Sequence, residues 1–370
     1  GAVIDESKLK RFSELEYVKD FKEIPDAQEV VNVKKLIENS KRPIIIAGNG
    51  IRLGNSIPAF RNFIETYRIP YVSSYLSIDL LPTSHDLFVG RVGIKGDRAG
   101  NFAMQNSDLV LAIGTRLPVA MTGYEYSQFA REAKVVVVDI DPVEHKKNNI
   151  RIDYYINSSA ENFFRSLKLE GIIGNNDWLN KCSHWKKKWP VCLPHYANEK
   201  NGINLYYFVD RLSALMEDDA VVVSDDGSAF YVTSQSIKIR ENQRYITSGG
   251  QDEMGFTIPA CIGVCTARKN KPAIGITGDG SFQMNLQELQ TIIHHKMPIK
   301  IFVWNNDGYL SIRATQMKFF ENRFIGTDKE SGVSFPALKK ISKVYGIKYY
   351  YVDKARSLDK IIIKALLHSG

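Results

Sequence analysis

The chain has 370 residues, of which 44% are apolar and 24% charged; this is the balance of a folded globular protein and excludes a disordered or fibrous one. At roughly 100–200 residues per domain it fits two cores. Its formal charge is +8, but the one dense basic cluster is Lys186-Lys187-Lys188, so nucleic-acid binding is not expected.

The four cysteines, Cys182, Cys192, Cys261 and Cys265, make no CxxC pair and have no histidines at zinc-finger spacing. No apolar run approaches the roughly 18–20 residues of a membrane helix. A reduced, cytoplasmic protein without membrane contact is the expectation.

The first forty residues read as a polar arm leading into a helix over Asp26–Ser40. At Pro43 the pattern changes: Ile44-Ile45-Ile46-Ala47 runs into Gly48-Asn49-Gly50 and a helical stretch over Ile57–Tyr67, a strand, turn, helix unit. The same grammar recurs with a strand over Ile69–Ser73, a helix around Asn101–Asn106 and a strand over Asp108–Gly114. After the loop holding Gly123 comes a strand over Lys134–Asp139. Continuous apolar strands alternating with helices imply a parallel sheet covered on both faces. Residues 1–170 are therefore expected to form one doubly wound domain.

Residues 171–200 turn polar and punctuated, with Gly174-Asn175-Asn176, Pro190 and Pro194 flanking a Trp/Lys-rich helical segment, and read as a linker with a lead-in helix. A second series fills residues 201–370. Its helices are predicted over Leu205–Met216, Ala229–Ser236, Phe256–Ala267 and Asn285–His295, and its strands over Ala220–Ser224, Tyr245–Thr247, Pro272–Thr277 and Ile299–Trp304. The fold class is α/β, with two doubly wound parallel-sheet domains.

The sharpest chemical feature is Gly278-Asp279-Gly280 at a strand end, followed one helix and one strand later by Asn305-Asn306. In a right-handed crossover both loops emerge at the carboxyl edge of the sheet, so the Asp279 carboxylate and the Asn306 amide oxygen can converge. Magnesium takes about six oxygens in near-octahedral array, usually one or two protein side chains plus phosphates and water. Gly280 would let the backbone approach a phosphate, and the next helix, with Ser281 at its mouth, would offer amide donors. A magnesium-diphosphate clamp is the physical reading. The glycine-aspartate-glycine turn alone reads equally as a tight turn; its pairing with the double asparagine carries the weight.

Together these motifs resemble the thiamine diphosphate signature, and nearly the whole chain resembles the acetolactate synthase-like family. That resemblance implies a thiamine diphosphate cofactor held with Mg2+ by Asp279, Asn306 and the main-chain carbonyl of Gly308. Gly278, Gly280, Ser281, Tyr309 and Leu310 would lie along the cofactor. Asp225-Asp226-Gly227-Ser228-Ala229 resembles the family's second diphosphate loop, with Gly227 and Ser228 as donors, although Ser228 and Ala229 replace the usual glutamine and histidine. In the glycine-rich stretch Ser248-Gly249-Gly250 to Ile262-Gly263, Met254 would be the wedge that bends the cofactor. Backbone oxygens near Asp252 and Met254 would receive its aminopyrimidine. Thr315 stands where acetohydroxyacid synthases carry a tryptophan.

The first domain resembles the family's central, Rossmann-like domain, which holds FAD in several members and stays empty in others. Gly48-Asn49-Gly50 leaves FAD open, because any strand-to-helix turn uses glycine. The activity implied is 2-oxoacid decarboxylation with carboligation, pyruvate giving 2-acetolactate, in a homodimer or homotetramer. A related decarboxylase or lyase is the alternative, and a non-catalytic dinucleotide-binding module stands as a different class. The opening Gly1-Ala2-Val3-Ile4-Asp5 resembles the segment just after the family's pyrimidine-binding domain, which carries the activating glutamate. The chain is therefore expected to be a fragment, inactive alone, with no catalytic residue of its own. Glu253 and Glu288 are the tempting substitutes, but Glu288 reads as a surface carboxylate.

Overall fold

The computed structural model describes residues 5–9, 24–147, 149–171 and 173–369, so most of the expected polar arm and the opening segment lie outside the described residues. In chain order the first domain runs α1 (Ala27–Asn39), β1 (Pro43–Ala47), α2 (Gly50–Leu53), α3 (Ile57–Tyr67), β2 (Tyr71–Ser73), β3 (Phe88–Arg91), α4 (Arg98–Gln105) and β4 (Leu109–Ile113). It continues with α5 (Val119–Thr122), β5 (Lys134–Asp139), β6 (Tyr154–Asn157), α6 (Ala160–Ser166) and α7 (Asn176–Lys188). All pairings in its six-stranded sheet are parallel, in the order β3-β2-β1-β4-β5-β6.

Alternation along β1 sends Ile45 and Ala47 into one apolar layer and Ile44 and Ile46 into the other, so the strand is buried on both faces. Removing each such isoleucine from water contributes roughly 1.5–3 kcal/mol. Asp26 caps α1 by accepting the Gln28 amide at 2.8 Å, which is why that helix starts where an acidic residue meets an apolar period. The Trp/Lys-rich helix α7 lays Trp178, Cys182 and Trp185 onto the second of these layers, and the Trp178 indole donates to the Pro43 carbonyl at 2.9 Å. It is thus part of the cover of the first sheet. The four-residue strands β3 and β6 lie at the two edges of the sheet and are not among the strands expected from sequence.

The second domain runs α8 (Leu205–Leu215), β7 (Val221–Ser224), α9 (Ser228–Ser236), β8 (Arg244–Thr247), α10 (Thr257–Ala267), β9 (Ala273–Gly278), α11 (Asp279–Met284), α12 (Leu289–His294) and β10 (Ile299–Trp304). The helices α13 (Leu310–Phe319), α14 (Leu338–Val344) and α15 (Ala355–Leu366) follow. Its sheet is parallel in the order β10-β9-β7-β8. The helix predicted over Asn285–His295 is not continuous. Helix α11 starts at Asp279 itself, and the chain breaks at Asn285, whose side-chain amide donates to the Gly255 carbonyl at 2.9 Å; a 3-10 turn follows, then α12.

Polar groups join the domains. Asp79, buried at the first domain's edge, takes Arg52 at 2.8 Å and pairs with Arg244 of β8, and the Arg91 guanidinium donates to the Gln235 and Ile237 carbonyls. No helix among the described residues is long and apolar enough to cross a membrane.

Candidate functional site

Strand β9 lies between β10 and β7, with Gly278 opposite Trp304 and Ile276 opposite Ser224. The loops leaving the carboxyl ends of these three strands therefore lie side by side, at the edge where parallel α/β sheets bind ligands. One carboxylate ties them together. Asp225, 1% exposed, accepts from the Asp226 and Gly255 amides at 3.0 and 2.8 Å, and from the Thr257 amide and Thr277 hydroxyl at 3.2 and 3.0 Å. It binds the β7 loop to the Met254-Gly255 stretch, to the start of α10 and to the end of β9. In the sequence Asp225 is only one member of a loop motif; three of its four partners are 30 to 52 residues away, and no local signal announces them.

The loops that carry the two predicted metal-ligating side chains are neighbours, joined by the Asn306 backbone amide and the Asp279 carboxylate. The buried Asp279 carboxylate accepts from the Asn306 amide at 3.0 Å, the Asp307 amide at 2.7 Å and the Gly280 amide at 2.9 Å. Burial nevertheless holds its carboxyl above the ordinary range, against the downward pull of those amides. The side-chain oxygen of Asn306 is buried and accepts no hydrogen bond. A buried acceptor without a donor costs free energy; next to an oriented carboxylate, it is the donor set a hard cation would complete. The Asp279 carboxylate and the Asn306 oxygen thus fit a hard cation such as magnesium brought with phosphate oxygens. Among the described residues no group of three or more His, Cys, Asp or Glu side chains could hold a metal alone.

Gly227 precedes α9 with φ +63° and ψ −138°, a backbone conformation open to glycine alone. A Cβ there would stand 3.5 Å from the Ser311 hydroxyl, so the β7 loop and the start of α13 are neighbours. No side chain caps α9, and its first intrahelical bond runs from the Tyr231 amide to the Gly227 carbonyl. The amides of Ser228, Ala229 and Phe230 are the first-turn groups that a helix leaves unsatisfied, and they fit an anion. Asp226 beside them is held above the usual carboxylate range by burial and by the neighbouring Asp225 and Glu253 charges.

At Gly280 a Cβ would come within 2.4 Å of the Tyr309 ring and 3.3 Å of Phe335, so the absent side chain makes room for that ring. Gly278 has open space at the same test, and Gly308 is pressed against the Thr327 carbonyl, 2.0 Å from where its Cβ would be. Ser281 is buried in the first turn of α11. Met254 is half-buried, while Asp252 and Leu310 are exposed at the site's rim. Glu288, read as a surface carboxylate, is half-buried and accepts the Thr291 hydroxyl at 2.8 Å.

In the first domain the glycine turn after β1 sits at the sheet's switch point. The order of its sheet reverses between β1 and β4, and Gly48-Asn49-Gly50 meets Gly114-Thr115 there. The Gly48 amide donates to the Ile113 carbonyl and the Gly50 amide to the Gly114 carbonyl, each at 2.9 Å, and Cβ atoms on these two glycines would lie 2.1 and 2.6 Å from Gly114 backbone. The glycines serve loop-on-loop packing, and their amides are spent. The crevice does not fit a dinucleotide pyrophosphate held on these amides.

Comparison with known proteins agrees with this division. Residues 30–167 match the family model for the thiamine pyrophosphate enzyme central domain, and residues 225–370 match that for the C-terminal TPP binding domain. The chain is 27% identical over 353 residues to the acetolactate synthase large subunit of Porphyra purpurea, covering 93% of this chain and 58% of the relative. It is 33% identical over 323 residues to that of Lactococcus lactis subsp. lactis (strain IL1403), covering 86% and 54%. With the Escherichia coli (strain K12) acetolactate synthase isozyme 2 large subunit the figures are 28%, 86% and 57%. The chain therefore spans little more than half the length of these relatives. The chain thus carries the central and C-terminal TPP binding domains of the thiamine pyrophosphate enzymes and is a relative of acetolactate synthase large subunits.

Proposed function

We propose that the full-length protein is a thiamine diphosphate- and Mg2+-dependent enzyme that decarboxylates a 2-oxoacid and joins the remaining carbon unit to a second carbonyl compound, pyruvate giving 2-acetolactate. The observation that carries this reading is the buried, unsatisfied Asn306 oxygen beside the oriented Asp279 carboxylate. When bound, thiamine diphosphate supplies the electron sink that allows a 2-oxoacid to lose carbon dioxide.

The chain's own residues bind and orient. Asp279, Asn306 and the Gly308 carbonyl would hold the cation, and the first-turn amides of α9 with Gly227 would take phosphate oxygens. Met254 would support the bend between the rings. Asp225 keeps the loops in register. No carboxylate of this chain is assigned to activating the cofactor, a task that fits a residue outside it. Helix α13 has no buried residue, and its Met317 and Phe319, with Phe320 and Ile325 just beyond it, are at least half exposed, which favours a homodimer or homotetramer that covers this face.

Calorimetric titration of the full-length protein with thiamine diphosphate, with and without magnesium, tests the site. Magnesium-dependent heat is expected; no heat in either case would leave a non-catalytic module instead. Mass spectrometry of the products from pyruvate tests the reaction. One observation favours the second reading, a related decarboxylase or lyase: Thr315 is exposed, and its hydroxyl is turned back onto the Ser311 carbonyl at 3.1 Å. A small side chain where the acetohydroxyacid synthases have a bulky wall suits a different acceptor. Acetaldehyde without acetolactate would decide for it.

A further inference from the structure

We propose that Arg91, a residue of the central domain, is a positioning residue for the diphosphate site, acting through helix α9; this rests on the proposed function. Arg91 is 3% exposed, and its guanidinium donates to the Gln235 carbonyl at 2.5 Å and to the Ile237 carbonyl. Those carbonyls belong to the last turn and the C-cap of α9, the acceptors that a helix leaves unsatisfied. A cation at this end also complements the helix dipole, whose positive end faces the diphosphate loop. Nearby Asp97 spends its oxygens on the Arg91 and Gly100 backbone amides, at 2.8 and 2.7 Å, rather than on the guanidinium. Arg91 is thus turned toward the helix.

The grip extends along α9. The Gln235 side-chain amide donates to the Gly96 carbonyl at 2.6 Å, the Lys95 ammonium stands 4.1 Å from the Tyr231 ring centroid, and Tyr75 meets Phe230 edge-on at 5.3 Å. Within its own domain the buried residues of α9 are mostly small: Ala229, Thr233, Ser234 and Ser236 beside Phe230. Such a face packs closely but offers few ridges to stop the helix sliding along its axis. Contacts at the ends set the axial position. A hydrogen-bonded helix of nine residues moves as a unit, so a shift at Gln235 is a shift at the Ser228 amides. The central domain therefore places donors that belong to the other domain.

The test uses full-length R91M and R91K, with R244M as control; R244M breaks the interdomain pair with Asp79 on β8 and leaves α9 untouched. Two quantities are read below the melting temperature: hydrogen exchange of the α9 peptide without cofactor, and the Kd for thiamine diphosphate with magnesium. R91M should raise α9 exchange and weaken Kd at least tenfold. R91K, whose single ammonium keeps one contact, should fall between and carries the test if R91M does not fold. R244M should lower the melting temperature with both readouts at wild-type values. Unchanged α9 exchange in folded R91M, or equal effects from R244M, overturns the positioning role. Wild-type protein that takes up no thiamine diphosphate refutes the proposed function and the cofactor half of this inference, a failure distinct from the first.

Discussion

Replacing Asp225 by alanine should be among the most damaging single changes in the second domain. Three backbone amides and the Thr277 hydroxyl converge on its carboxylate, in a place 1% exposed. The hydroxyl has another acceptor in the Gly278 carbonyl at 3.2 Å, so the amides of Asp226, Gly255 and Thr257 carry the loss. Each buried donor left unsatisfied costs about 1–3 kcal/mol, and water entering the vacated volume recovers part, so about 3–5 kcal/mol is expected for D225A. The asparagine variant keeps one acceptor oxygen but turns an amide donor toward the other donors, and should cost about 2 kcal/mol. Against a total of about 5–15 kcal/mol, D225A approaches the limit of a folded domain. Urea unfolding of both variants, followed by circular dichroism, measures these differences. A loss below about 1 kcal/mol for D225A would refute the hub, since one net hydrogen bond is worth that much.

Asn306→Ala should abolish magnesium-dependent uptake of thiamine diphosphate while leaving the melting temperature equal or higher, because it removes a buried acceptor that has no donor; a clear drop in stability would contradict that account. Burial raises the Asp279 carboxyl above 3.8. In the empty site its protonated form is therefore favoured to higher pH than in the unfolded chain, and stability is lost as pH rises through the raised value. Cation binding needs the carboxylate, so affinity should fall as pH drops through that raised value, starting above 3.8, and titrations across acid pH would show it. Gly280→Ala places a Cβ 2.4 Å from the Tyr309 ring and should cost about 1–3 kcal/mol, with Tyr309→Ala in the same chain recovering most of it in thermal melts.

Much of the architecture was legible along the chain because it is written in short-range physics. Apolar runs such as Ile44–Ala47 and Val135–Val138, short and bounded by turn residues, read as strands buried on both faces, and the loops of Gly278-Asp279-Gly280 and Asn305-Asn306 converge by the handedness of one crossover. Tertiary structure decided the rest. Asp225 finds its acceptor role through amides 30 and 32 residues on, Arg91 meets carbonyls 144 and 146 residues away, and the Tyr309 ring takes the space beside Gly280. It also ended α11 at Asn285, whose amide is drawn to the Gly255 carbonyl, and opened the helix predicted over Asn285–His295 with a 3-10 turn. Periodicity and turn chemistry depend on near neighbours and can be read from the amino-acid order. Long-range polar partnerships exist only once two domains and three strand ends have been brought together, because a buried donor or acceptor takes whatever complementary group the packing delivers to it.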